Sequence, residues 1–412
     1  MISNCFIRIY KFFHDHRSVC WLSMVLLFGF FGWQASHIYI VEDTDKHDLA
    51  TTIAGPMVLI LMFLQLYFKR WDTISLLILP VAFGTIFGLA IMYWLKSEFS
   101  LLALGISGVV LGVALSYVLH MLTHQQFVSD TEQLLRELVK PLLLCCMTTI
   151  GSFTGLLFVK TDLLHDFGLL ASFVILGTTL FSLTYLPQLL SIRKTHHSPK
   201  TSHLSPLITY PIDRNKLLIV VIILVTIVCI GASIVGDISF DADTFTNQIF
   251  APLHQQEEMS DELSLLLWLS MAFVFWVLWM SFHYDAHHTL VAFAPIWLSW
   301  LIVRGVMVLF GVQFNLISIF IPTIIFGIGV DISMFIMYGL ISETRILYAH
   351  KTAILLSAIV LITMISSMLF AHHPAICSVG FTSLVGLLSV IILSYILQPA
   401  ISRWLNKKND KT

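Results

Sequence analysis

FNLISIFIPTIIFGIGVDISMFIMYGL, residues 314–340, is an apolar stretch with one carboxylate, Asp331, near its middle. Of the 24 acids in the chain, it is the one placed at mid-membrane depth. A charge at a bilayer centre costs roughly 3 kcal/mol on insertion scales, so such groups are rare and are usually functional. An acid in that setting suits a group that takes up and releases protons. On the helix, Gly327 lies one turn before Asp331, Phe335 one turn after and Tyr338 two turns after, so all four share a face.

Working outward, the rest of the chain has the same character. Of 412 residues, 58% are hydrophobic and 11% charged, and mean hydropathy is +0.90. A soluble protein of this length could not bury so much apolar surface. Runs near the spanning length of roughly 20 residues recur at 19–40, 51–68, 74–95, 100–122, 141–159, 167–191, 216–236, 263–282, 289–311, 314–340, 352–370 and 374–401. The expectation is an all-α integral membrane protein of twelve spans.

Lys and Arg orient the spans. With the N-terminus inside, 18 of them fall on cytoplasmic segments and three, Lys46, Lys96 and Lys160, on outer loops. Both termini are therefore expected in the cytoplasm. The first apolar run ends in HIYIVEDTD without a small-residue cleavage site, which predicts a retained span and not a signal peptide. The six cysteines are scattered and form neither a disulfide framework nor a metal motif. The net charge of −2 singles out no partner class, and nothing suggests nucleic acid.

The chain repeats at half length. Phe99-Ser100-Leu101 matches Phe314-Asn315-Leu316, Pro80 matches Pro295, and LGVALS (111–116) matches FGIGVD (326–331), all at an offset of 215. Leu157-Phe158, Gly168 and Pro187 match Leu369-Phe370, Gly380 and Pro399 at 212. Each half, 1–191 and 216–412, then holds six spans in the same orientation, a parallel repeat of the kind secondary transporters use. The polar, Pro-containing segment 192–215 is the cytoplasmic linker. The symmetry breaks at the informative position, where Asp331 corresponds to Ser116.

GIGVDISMFIMYGL (327–340), its first-half counterpart LGVALSYVLHMLTH (111–124), ELVKPLLLCCMTTIGSFTGLLF (137–158) and LLHDFGLLASFVILGTTLFSLTYLPQLL (163–190) resemble the resistance-nodulation-division (RND) superfamily, in particular its MMPL-type exporters. Ile332 stands where that branch commonly has Tyr. The resemblance covers nearly all of the chain and implies a bacterial inner-membrane exporter. It would be driven by the proton-motive force, move lipidic or hydrophobic cargo, need no cofactor, and act with a second copy or an envelope partner. One departure is large. The family's folded outer domains, inserted after the first span of each half, are absent or removed, since loops 41–50 and 237–262 are too short to build them. That departure keeps a second class open: a non-transporting, sterol-sensing-like or scaffold module. An enzyme is not expected. Intramembrane aspartyl proteolysis needs two carboxylates sharing a site, and no second intramembrane acid is present.

The remaining polar groups carry paired readings. Ser116 either hydrogen-bonds Asp331 across the pseudo-twofold or makes a plain helix contact. His120, one turn further toward the cytoplasm, either passes protons or satisfies a buried carbonyl. Arg304 either pairs with Asp331 or snorkels outward. Hydroxyls in membrane helices mostly bond their own backbone, but the resemblance puts a hydroxyl partner for the acid on the eleventh span, at Thr363 or Ser366. Gly327, Gly329 and Gly112 are expected to admit close helix neighbours. The acidic cluster of 237–262 reads as a solvated loop. The His pairs lack zinc-site spacing.

Overall fold

Helix occupies most of the described part of each predicted span in the computed structural model, which describes residues 2–41, 50–69, 72–96, 98–128, 130–158, 162–191, 215–236, 255–282, 285–311, 321–342, 344–372 and 374–409. Among them, eleven helices are long and apolar enough to cross a membrane: Arg17–Ala35, Thr51–Phe68, Asp72–Leu95, Ala103–Gln125, Thr131–Phe158, Asp162–Ser191, Lys216–Val235, Ala286–Phe310, Pro322–Ile341, Ile346–Phe370 and Ile376–Trp404. The eighth span of the sequence reading is the shorter apolar stretch Leu267–Ser281, within a helix running Gln255–Ser281. Spans are numbered one to twelve in chain order below.

Several boundaries differ from expectation. Span four is broken: a short helix Leu101–Ile106, N-capped by Ser100 accepting from the Ala103 amide, ends at Ser107 before the main helix Gly108–Gln125. Span ten begins at Ile321, and residues 314–320 lie outside the described set, as do linker residues 192–214 and the acids Asp237, Asp241 and Asp243. The other acids of that cluster, Glu257 to Glu262, fall on the helix of span eight and not on a loop. Two elements had no sequence signal in the reading above. A helix at Ile2–Asp15 docks through the Gln188 amide, which donates to the Tyr10 carbonyl at 2.6 Å, and through a Lys11–Glu132 ion pair at 3.0 Å. Strands Tyr39–Val41 and Glu98–Ser100 pair in parallel, Ile40 opposite Phe99, and tie the end of span one to the start of span four.

The core lies where the two halves meet. Span four packs on span eleven, and span five on span ten, a reciprocal exchange that fits the internal repeat. Span four is buried along almost its whole length. Two glycines at matching places in the repeat lie at these crossings. A Cβ on Gly112 would meet Leu361 and Met364 of span eleven at 3.2 Å, and one on Gly327 would meet Thr149 of span five at 3.5 Å. Gly329 faces its own half, against Val390 of span twelve at 3.1 Å. The symmetric prolines Pro80 and Pro295 both lie buried inside their helices, spans three and nine.

Candidate functional site

Span ten brings Asp331 to the contact between halves, where its side chain is 4% exposed. The first half supplies its partners. Tyr117, on span four, donates its phenol hydrogen to Oδ2 at 3.0 Å. Thr149, on span five, reaches Oδ1 at 3.2 Å. The two hydroxyls also reach each other, Tyr117 toward Thr149 Oγ1 at 3.2 Å, and Thr149 reaches the Gly327 carbonyl at 3.2 Å. That carbonyl is one turn up from the acid on the same helix, and Gly327 has no side chain to cover it.

Counting protons shows what the arrangement can do. Two hydroxyls have two hydrogens to share among four acceptor positions. With Asp331 ionised, both can point to the carboxylate, the stronger charge-assisted choice. With Asp331 protonated, a third hydrogen joins the site: the acid's own O–H can donate from Oδ1 to Thr149 Oγ1, Thr149 turns to Gly327 O, and Tyr117 keeps Oδ2 or turns to Thr149, all within 3.2 Å. The site thus has a satisfied hydrogen-bond pattern for each protonation state.

Span ten is held to its own half independently. Ser333 Oγ donates to the Ala292 carbonyl at 2.5 Å, and the Gln398 amide donates to Ser333 O at 3.1 Å. Loss of the Asp331 bonds would therefore loosen half from half, not the helix from its bundle.

The sequence-derived candidates are redistributed. Ser116 is buried at its expected place, but the hydroxyl of span four that reaches the acid belongs to the next residue, Tyr117. The partner on the other side comes from span five and not span eleven. Thr363 donates to its own helix at Ile359 O, 2.8 Å, and Ser366 shares its helix, which packs on span four. The reason is the reciprocal exchange: span five packs on span ten, while span eleven packs on span four. His120 is buried, and its ring stacks on Phe335 with centroids 3.8 Å apart and planes at 16°. Arg304 makes no ion pair with Asp331, and its Nε has no hydrogen-bond partner among the described residues. Its neighbour Gly305 presses on the backbone of Cys229 in span seven, away from the acid.

Tyr117 and Thr149 were missed, although the signals exist. Tyr117 is the offset-215 mate of Ile332, the position where the MMPL branch commonly carries Tyr. Thr149 corresponds at offset 212 to Leu361. Acid and phenol are divided between the two halves.

A second feature lies in the first half. A cavity of about 430 Å³ is lined by Ile53, Ala54, Leu89, Leu104, Val110 and Leu170, with Thr85 and Ser107 as polar exceptions. Its volume is within the range of small-molecule sites.

No family model matches the sequence, and no curated protein does. Solved structures do. SecDF, a translocon-associated membrane protein from Thermus thermophilus, superposes with a TM-score of 0.67 at 10% identity, over 87% of this chain and 62% of that one. The chain has the membrane fold of that protein. SecDF in its super-membrane-facing form gives 0.66 at 10% identity, over 89% and 62%. A heavy metal efflux pump gives 0.68 at 10% identity, over 88% and 67%. The expected all-α membrane architecture is therefore the observed one, with a span count near the twelve expected. The chain spans about 62% of the length of the SecDF chains it matches.

Proposed function

We propose that the chain is a proton-coupled transporter, or the transmembrane core of one, in which Asp331 is the proton carrier. The observation that supports this most directly is the Tyr117–Asp331–Thr149 arrangement: a single buried acid on one half, held by hydroxyls of the other, with a complete hydrogen-bond pattern for either protonation state. Proton uptake removes the charge-assisted bonds between halves. Proton release restores them. A rocking motion of one half against the other is coupled to the cycle by that difference.

In this reading the protein sits in a bacterial inner membrane with both termini cytoplasmic, takes protons from outside and exports lipidic or hydrophobic cargo in the MMPL manner. The apolar cavity of the first half supports a hydrophobic cargo. No bond-making chemistry is assigned, and a second copy or an envelope partner completes the outer path.

The test is proton flux in liposomes carrying the full chain and a trapped pH dye under an imposed gradient. Wild type should exceed empty liposomes, and Asp331→Asn should reduce flux to their level while still folding and reconstituting. Flux in the Asn variant equal to wild type would end the reading. A second reading, a non-transporting scaffold or sterol-sensing-like module, is favoured by the short outer segments. It predicts no flux in wild type and saturable binding of a fluorescent sterol or lipid to the cavity.

A further inference from the structure

One turn from Asp331 toward the linker end of the bundle, three buried histidines gather from two spans. His120 and His124 lie on span four, three and seven residues after Tyr117 and on its face. His350 comes from the start of span eleven. All three are 1–2% exposed. The His120 and His350 rings are 6.5 Å apart between centroids, and those of His350 and His124 are 5.3 Å apart. Phe335, one turn below Asp331, stacks on His120 and lies 5.2 Å from His350. His124 Nε2 meets Glu137 Oε2 at 2.6 Å, and Gln133 donates to the other oxygen at 2.8 Å. The Glu137 side chain is 15% exposed. Lys140, on the helix of Glu137, lies over the Tyr338 ring.

Each of the three imidazoles has an Nδ1 that is buried without a hydrogen-bond partner among the described residues. One such orphan is an exception in a folded protein, and three in contact call for an explanation. A shared metal ion does not supply it: among the described residues, no three His, Cys, Asp or Glu side chains converge as ligands to one ion must.

We infer that His120, His350, His124 and Glu137 form the inward proton path from Asp331. This rests on Asp331 being a proton carrier. Asp331 gives up its proton and is left as the carboxylate. His120 accepts a proton on one ring nitrogen and releases one from the other, and His350 and His124 do the same in turn. Glu137 accepts from His124 Nε2 and releases to water at the bundle end. One proton enters, one leaves, and every ring finishes neutral. The first gap, bridged along span ten by the turn from Asp331 to Phe335 on which His120 stacks, and the two ring-to-ring gaps each need a ring rotation or bridging water.

The test reads Asp331 itself. In vesicles carrying the full chain, the carboxyl stretch that disappears in Asp331→Asn is followed by infrared spectroscopy after a pH jump on the linker side. His350→Gln and His124→Gln should each slow its response by roughly a hundredfold, the low end of what a positioned proton-transfer group contributes. Free imidazole should restore much of the rate in His350→Ala, which a merely structural role would not produce. Responses equal to wild type in both Gln variants would overturn the path while leaving proton coupling standing. A response slowed by these substitutions, in a protein that carries no flux above empty liposomes, would support the path and sink the transport reading. Should one variant fail to fold, the other reads the same path.

Discussion

Tyr117 and Asp331 belong to opposite halves of the chain, 214 residues apart, and meet hydroxyl to carboxylate at 3.0 Å. Removing the hydroxyl in Tyr117→Phe takes away one of the acid's two hydroxyl donors, the Cys145 thiol being a weaker third. So does Thr149→Val, which is close to isosteric. Each should weaken the contact between halves by about 1–3 kcal/mol, the cost of leaving a buried partner short of a bond. Because the hydroxyls also reach each other, the double variant should not be the sum of the two singles. Thermal unfolding of the four proteins at neutral pH checks this, and strict additivity would show that the hydroxyls act separately.

The packing glycines are not equivalent. A methyl group on Gly327 finds ordinary van der Waals room against Thr149, so Gly327→Ala should be neutral or should stabilise the helix by up to about 1 kcal/mol. A methyl group on Gly305 would run into the backbone of Cys229, which cannot rotate away as a side chain can. Gly305→Ala should therefore lower folded yield sharply. Expression level and unfolding temperature of the pair decide it.

At the opposite end of the bundle from Glu137, Lys96 closes span three onto span six, its ammonium 2.6 Å from Asp166 and 3.7 Å from Asp162. Asp166 is buried and Lys96 is a third exposed. Lys96→Met should strand the Asp166 charge and cost about 1–3 kcal/mol. Adding Asp166→Leu should recover most of that loss, since a well-packed apolar pair often matches a buried ion pair. Denaturation of the single and double variants provides the measurement.

Much of this was legible in the residues. Apolar length located the spans, and the 215-residue offset aligned Asp331 with Ser116 before any coordinate was needed. What was not legible was which helix faces which across the half-to-half contact. The resemblance implied a hydroxyl partner on span eleven, at Thr363 or Ser366, but reciprocal packing gives that place to span five. Tyr117 was hidden for a related reason. Its phenol looks like any aromatic in an apolar helix until its mate, Ile332, is seen to lack the hydroxyl. The strands Tyr39–Val41 and Glu98–Ser100 are three residues each, too short for alternation to be visible.

The division of acid and hydroxyls between the halves has an ancestral consequence. A repeat of this kind begins as two identical copies, each able to pair with itself. Here one copy keeps the carboxylate without the phenol, and the other keeps the phenol and threonine without the carboxylate. Two first halves would bring together hydroxyls with no charge to hold, and two second halves a pair of facing acids with no donor. Two like halves would therefore lack the acid–phenol contact that the unlike halves make.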